Sequence, residues 1–323
     1  MLTLPDMKSK QSLFIQMEPG CRNRLFFRNE NIVFERDGKI INQASCHRVL
    51  AVFMFGDFTF TSGLVRECRR RGVSLFFLGY NFRVYGFLDA RGDGNYLLRM
   101  AQYQLSPEDE FTIAKNLVKN KIANQTSLVN SLKRSSSSFE LALETLPLIN
   151  KAKSGKELLG IEGNSSRLFF NEYFKEIDWF RRLPRVKPDI NNLLLDVGYT
   201  LLFNFIDSLL LLFGFDTYKG CYHKLFFQRK SLTCDIMEPF RCIIEKQLLK
   251  SFHLKQIDKE DFFLDQGRYS LRYKESQKYA GIFMEAIMDH KEPIYLFVYK
   301  FYRFMMDEVN PFPSFDVLTK EVK

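Results

Sequence analysis

The run "DARGDGNYLLRMAQYQLSPEDEFTIAKNLVKNKIANQ", Asp89–Gln125, is where the chain changes its period. Before it come short β-branched and aromatic runs, "SLFIQ", "RLFFRN", "NIVFERDGKII", "SLFFLGY" and "RVYGFLDA", separated by Asn, Asp and Gly. Such runs read as strands, and Asp37-Gly38 within "ERDGK" predicts a two-residue hairpin. "TSGLVRECRRRG" predicts one short helix, capped by Thr61 or Ser62 and stopped by Gly72. After Asn95 the apolar spacing turns helical. Ser106 stands at an N-cap, Pro107 at the first helical position and acids in the first turn, with Phe111, Ala114, Leu117, Val118, Ile122 and Leu128 on one stripe. "RSSSS" (134–138) reads as a loop, and further helices are expected at about 139–152, 155–178, 189–213, 232–252, 273–289 and 291–308. The expected fold class is α+β, with a small N-terminal mostly-β domain over residues 1–92 and a larger all-α domain over 93–323.

A chain of 323 residues with 46% apolar residues and 34 phenylalanines can fill two cores. Its net charge of +9 favours a polyanionic partner, because Lys and Arg attract phosphate and release its counterions. The six cysteines form no C-x-x-C pair and read as reduced thiols of a cytoplasmic protein. Zinc on Cys46, His47, Cys221 and His223 has no recognised ligand spacing. The start, "MLTLPDMKSKQS", carries no apolar signal core. Leu193–Phe215 has the length of a membrane span, but it contains Asp196, Asn204 and Asp207. A mid-span Asp costs about 2.5–3.5 kcal/mol on insertion scales. Asp196, Thr200, Asn204 and Asp207 make one polar stripe, so the segment reads as a core helix whose stripe meets water or lines a polar cleft, and no membrane is expected.

Three short stretches can carry chemistry. In "GCYHKLFFQRKSLTCDIMEPFR", Gly220–Arg241, one of only four histidines precedes Asp235 and Glu238, which share a helical face at i and i+3. Those acids can aim at one ligand, or they can be an N-cap and its N3 partner ahead of Pro239. His223 can be a ligand or a plain loop residue, and Lys224 and Arg229 near it suit a phosphate-bearing substrate. In "LLGIEGNSSRLFFNEYF", Leu158–Phe174, Glu162 lies between Gly160 and Gly163, two glycines that cost a helix about 1 kcal/mol each. Close helix packing or close approach to a ligand would offset that. Arg167 can reach a phosphate or pair with Glu162 or Glu172. Two carboxylates and an imidazole suit Mg2+ or Mn2+, with Mn2+ the better partner of a histidine. There is no P-loop, dinucleotide fingerprint or G-x-S-x-G elbow.

The order "LLGIEGNSSRLFF", "KPDINNLLLDVGYTLL", "GFDTYKGCYH" and "KSLTCDIMEPFR" resembles the CRISPR-associated spacer-acquisition integrase family. The likeness extends upstream to "VFMFGDFTFTSGLVRECRRRGVSLFFL" and "MAQYQLSPEDEFTIAKNLVKNKIANQ", and covers about residues 25–310. It implies an N-terminal β domain that forms a homodimer and a helical domain that holds a metal. It also implies partnership with a small second adaptation protein. The implied activity is a metal-dependent integrase and endonuclease, joining 3′-hydroxyl ends of short DNA fragments to a CRISPR repeat beside its leader by transesterification. The catalytic set carried over is Glu162, His223, Asp235 and Glu238, with Glu162, His223 and Glu238 as the metal ligands. Asp235 supports them or alternates with Glu238, which stands where the family often has an aspartate. Tyr199, in "GYTLL", is expected near the site, and Arg167, Lys224, Arg229 and Arg241 are expected on DNA. Other basic residues, among them Arg69, Arg70, Arg71, Arg181, Arg182, Arg185 and Lys187, are expected mainly as solvated surface. The sequence departs from the family in the aromatics of "GCYHKLFF", in Asn192 and in a looser "RRLPRVKPD". Two other readings stay open: a nuclease of branched DNA that never integrates, and a non-catalytic DNA-binding assembly protein.

Overall fold

The computed structural model describes residues 10–18, 20–79, 84–88, 95–132, 145–224, 226–307 and 309–323. The chain forms two compact units, one of residues up to Tyr96 with Asp207–Phe215, the other of Leu97–Ile206 and Asp216–Lys323. The expected boundary at residues 92 and 93 and the serine loop at 134–138 lie outside the described residues.

In the first unit, β1 (Gln11–Gln16), β5 (Val49–Phe55), β7 (Ser74–Leu78) and β8 (Val84–Leu88) form one sheet in the order β1-β5-β7-β8. The first three strands run parallel and β8 closes antiparallel. The central strand β5, "VLAVFMF", is buried along its whole length and reads as a continuous apolar run, as a strand covered on both faces must. A second sheet, β4-β3-β2-β6, joins Lys39–Ser45, Asn31–Arg36, Asn23–Arg28 and Thr59–Phe60. Asp37 and Gly38 turn β3 into β4 with φ of 48° and 80°, the left-handed pair that a two-residue hairpin requires. The Ser62–Arg71 helix makes the crossover from β5 to β7. Thr61 caps it by accepting the Leu64 N–H, and Gly72 ends it at φ 71°. Leu25, Ile32, Val52, Met54, Leu64 and Leu75 lie in the core.

The second unit is mostly helical, and its centre is the Pro107–Ser131 helix, opened by a capping box between Ser106 and Asp109. Its middle carries polar side chains inward. Asn120 exchanges hydrogen bonds of 2.7 and 2.8 Å with the Phe315 backbone, and Asn124 bonds Pro239 O, Phe315 O and the Val317 N–H. These two amides tie the terminal segment and the turn at Pro239 to one helix face, and Phe315 packs on Phe240 at 4.7 Å. The domain is not all-α, because β9 (Phe262–Asp265) and β10 (Arg268–Leu271) make a hairpin turned by Gln266 and Gly267 at positive φ.

Two helix expectations are corrected. The helix begun at Gly155 ends at Tyr173 rather than near 178. The expected 232–252 helix is two, Ser231–Met237 and Arg241–His253, parted by a 3-10 turn over Glu238–Phe240, where Pro239 sits near a helix start. The described part of the expected 139–152 helix is 145–151. Ile190–Phe213 is long and apolar enough to cross a membrane, yet 83% of its most apolar window is buried within the protein. Its stripe meets partners rather than water. Arg182 pairs with Asp196, Thr200 bonds the Asp196 carbonyl at 2.7 Å, and Asn204 and Asp207 are buried.

Gly198 marks a close approach on this helix. A Cβ there would lie 2.4 Å from Ile244 Cγ2 and 3.0 Å from Phe283 Cδ1, both side chains fully buried. Gly198→Ala is expected to lower stability by about 1–3 kcal/mol, since a packed interior has no room to yield. Urea denaturation of the pair of proteins measures it, and an unchanged midpoint refutes the close packing.

Candidate metal centre

Asp235 organises the loop that presents His223. Its carboxylate is fully buried and accepts the backbone N–H groups of Cys221 (2.6 Å), Tyr222 (2.9 Å) and His223 (2.8 Å). The same carboxylate bonds His223 Nδ1 at 2.6 Å. Gly220 makes this approach possible, because a Cβ there would come within 2.7 Å of Asp235 Oδ2 and 2.8 Å of the Ser231 backbone. The N-cap reading is therefore corrected. Asp235 lies inside the Ser231–Met237 helix, whose N-cap is Lys230, and its oxygens satisfy a neighbouring loop rather than its own helix. A carboxylate on Nδ1 leaves Nε2 as the imidazole's outward nitrogen, the arrangement in which a histidine serves a metal.

Glu162 and Glu238 converge on one cation, Lys121. The Lys121 ammonium pairs with Glu162 Oε1 and lies 2.8 Å from Glu238 Oε2. Ser166, one turn along the Gly155–Tyr173 helix, donates to Glu162 Oε1 at 2.9 Å, and Arg241 Nε stands 3.1 Å from Glu238 Oε2. Lys121 and Glu238 are buried. Burial pushes the Glu238 carboxyl up, but Arg241, then Lys121 and His223, outweigh it and hold it at about 2. Burial, then Glu162, Glu238 and Asp235 in that order, push the Tyr222 phenol well up, so all three acids act on one ring beside His223.

Of the residues singled out in the sequence, Glu162, His223, Asp235 and Glu238 thus come together. Tyr199 and Arg241 stand behind them. Arg241 lies over the Tyr199 ring at 4.8 Å, and Tyr199 donates to Glu245 Oε1 at 2.8 Å. Arg167 is exposed and bonds Asn164 at 3.0 Å, not Glu162 or Glu172. Lys224 is exposed and Arg229 half-buried, on a loop that also exposes Phe226 and Phe227. Gly160 and Gly163 face open space, so close helix packing does not account for them. Arg71 and Arg182 are not free surface either, being engaged by Glu30 and Glu67 and by Asp196 and Asn192.

Lys121, Ser166, Tyr222 and Glu245 escaped sequence reasoning. Only Lys121 leaves a signal, since it follows the buried Ala114 by two helical turns and so puts a charge on the apolar stripe.

The donor set fits a cation. Two carboxylates already converge on a positive charge, and Glu238 Oε2 has its cations near but no aligned hydrogen bond. Oxygen donors with one imidazole suit Mg2+ or Mn2+ better than zinc. Among the described residues, the group whose ligand atoms lie within 4.8 Å of one another is Glu30, Cys46 and His47, where Arg71 already occupies the Glu30 carboxylate; Glu162, His223 and Glu238 are not drawn that close.

The family profile "CRISPR associated protein Cas1" matches residues 18–285. The chain belongs to the Cas1 family. The "CRISPR-associated endonuclease Cas1 1" of Thermodesulfovibrio yellowstonii is 28% identical over 250 residues, covering 73% of this chain and 79% of the relative. Two solved structures share the fold. A casposase bound to integration product aligns over 92% of this chain and 91% of its own, with a TM-score of 0.78 and 19% identity. A chain of a Cas6-RT-Cas1–Cas2 complex aligns over 93% of this chain and 35% of its own, with a TM-score of 0.74 and 23% identity.

Glu245 gives this Cas1 centre a pH signature. Burial raises its carboxyl to about 7, against the opposing pull of Tyr199, Lys121 and Arg241. Between about pH 4.5 and 7 the folded protein therefore holds a proton that the unfolded chain has released, and stability falls as pH rises through that window. The loss approaches about 3 kcal/mol at full deprotonation. Glu245→Gln is expected to remove this slope, so that the variant gains on the wild type between pH 5 and 8 in urea titrations. A constant difference across that range contradicts the assignment.

Proposed function

We propose that this Cas1 protein is a metal-dependent DNA strand-transfer enzyme of CRISPR adaptation. It joins the 3′-hydroxyl ends of short DNA fragments to a CRISPR repeat, and cuts DNA when water takes the hydroxyl's place. One observation carries the reading: Glu162 and Glu238 converge on a single cation beside a histidine whose Nδ1 is tied to Asp235. The family adds support. The named Thermodesulfovibrio relative is an endonuclease, and the casposase of the same fold was captured with an integration product.

Glu162, Glu238 and His223 Nε2 would hold Mg2+ or Mn2+. Bound there, the ion supplies Lewis acidity to a hydroxyl and to a phosphate oxygen. The residues of the chain do the rest. Asp235, fixed by three backbone N–H groups, keeps His223 in one tautomer and one orientation. Lys121 and Arg241 put positive charge where the attacked phosphate gathers negative charge. In the exchange the 3′ oxygen forms a bond to phosphorus, the repeat's own P–O3′ bond breaks, and the departing oxygen takes a proton. The number of phosphodiesters is unchanged, so no nucleotide triphosphate is needed. Lys224 and Arg229, with Phe226 and Phe227 exposed between them, offer charge to a DNA backbone and ring faces to its bases.

The partners in this reading are the DNA fragment, the leader–repeat and a second copy of the chain through the N-terminal β domain. A Cas2-type protein joins them, as it does in the Cas6-RT-Cas1–Cas2 complex. The setting is the cytoplasm, consistent with six free cysteines.

An assay joining a short duplex to a leader–repeat plasmid tests the reading. Glu162→Ala, His223→Ala and Glu238→Ala are each expected to lower joining by a hundredfold or more, and Mn2+ or Mg2+ to be required. Unchanged joining in all three variants refutes the site. A wild type that only hydrolyses branched DNA favours the nuclease reading, and one that binds DNA without any metal-dependent reaction favours an assembly protein.

A further inference from the structure

Lys121 poses a problem for the metal site. Its ammonium occupies the place on which Glu162 and Glu238 converge, and its side chain is only 9% exposed. With Arg241 against Glu238 as well, two formal negative charges already face two formal positive ones. Asp235 adds one negative charge, spread over three backbone N–H groups and His223 Nδ1, so the cluster as it stands is short of neutrality by a single charge. A dication entering this cluster leaves one positive charge in excess within a buried site, where charges interact far more strongly than in water. Phosphodiester groups carry the charge that would cancel the excess.

We infer that Lys121 is a built-in counter-ion that makes metal binding and nucleic-acid binding depend on each other. This rests on the metal-site reading above. In the metal-free protein the ammonium holds the two carboxylates together and satisfies their buried charge. When DNA arrives, its phosphate gives the ammonium a second partner, and the flexible four-carbon stem lets it turn from carboxylate to phosphate. The carboxylates are then released to the metal only where a substrate phosphate is present. Linkage makes the effect reciprocal: the metal strengthens phosphate binding by the same factor. Lys121 on this account serves the carboxylates and the substrate phosphate in turn, and it restrains hydrolysis by keeping the metal out of an enzyme without DNA.

The pattern of neighbours supports a switchable contact. Ser166 keeps Glu162 Oε1 oriented independently of Lys121, and Arg241 stays on Glu238 through its stacking on Tyr199. Departure of Lys121 therefore leaves each carboxylate with one remaining support. The adjacent Asn120 and Asn124 clamp the same helix turn to Phe315 and Pro239, so the helix backbone stays fixed while the lysine side chain moves.

Mn2+ titration of the full-length protein, followed by the free-ion electron paramagnetic resonance signal, tests this with and without a short duplex whose 3′ ends are deoxygenated to block joining. Wild type is expected to bind Mn2+ weakly alone and on the order of tenfold more tightly with the duplex. Lys121→Met is expected to bind Mn2+ more tightly than wild type without DNA and to lose most of the duplex effect. Lys121→Arg, which keeps the charge, should retain it. Thermal melting with chelator supplies a second readout. Lys121→Met should melt lower than wild type without metal and gain more on adding Mn2+, and a variant that folds only with Mn2+ is the extreme form of that result. Equal Mn2+ affinity and equal duplex dependence in wild type and Lys121→Met overturn the inference while leaving the metal site standing. A wild type that binds no Mn2+ in either condition overturns the metal-site reading itself, and this inference with it.

Discussion

A buried ammonium between two buried carboxylates is the constraint from which the second unit is best understood. Taking such charges out of water costs several kcal/mol per ion, and removing one partner leaves the others uncompensated. The Pro107–Ser131 helix must therefore deliver Lys121 to a fixed place, the Gly155–Tyr173 helix must deliver Glu162, and the turn at Pro239 must deliver Glu238. The two asparagines beside Lys121 bind Pro239 and Phe315 through the same helix turn, so the side chains that place the charge also place its partner.

Asp235 works on a different principle. Its charge is spread over three backbone donors and an imidazole, a set of bonds that needs no cation and holds a loop rather than a helix. The cost falls on Gly220, where any side chain would strike the carboxylate. The two acids of "DIME" are thus divided by environment. One is consumed in building the loop, and the other keeps an oxygen without an aligned donor, facing the cluster. Spacing at i and i+3 shows that both can share a face, but what each already binds sets them apart.

Much of this was legible in the residues. Turn and cap chemistry at Asp37-Gly38, Thr61, Gly72 and Ser106 is local, and the structure bears it out because nothing distant competes with it. Ordered motifs singled out Glu162, His223, Asp235 and Glu238; Glu162 and Glu238 meet on Lys121, and His223 meets Asp235. What escaped depends on distant partners. The break between the Ser231–Met237 and Arg241–His253 helices follows from Pro239 and from an asparagine 115 residues earlier in the chain. The cap reading of Asp235 failed because its true donors belong to a preceding loop. Gly160 and Gly163 face open space, and the fold supplies no packing reason for them.

Lys121 shows why a charge on an apolar stripe is more informative than its neighbours. A lysine at a core-facing position is tolerated only where the structure supplies its counter-charges, so its presence implies buried acids elsewhere in the chain. Glu162 and Glu238 are those acids. Read in that direction, one residue out of place in a helical pattern points to the centre of the site before any catalytic motif is considered. The same logic runs outward to Arg241, whose charge faces Glu238 and whose plane lies on Tyr199 above a Glu245 raised to about 7. Each layer of charge is compensated by the next, which is how a cluster this buried is tolerated inside the core.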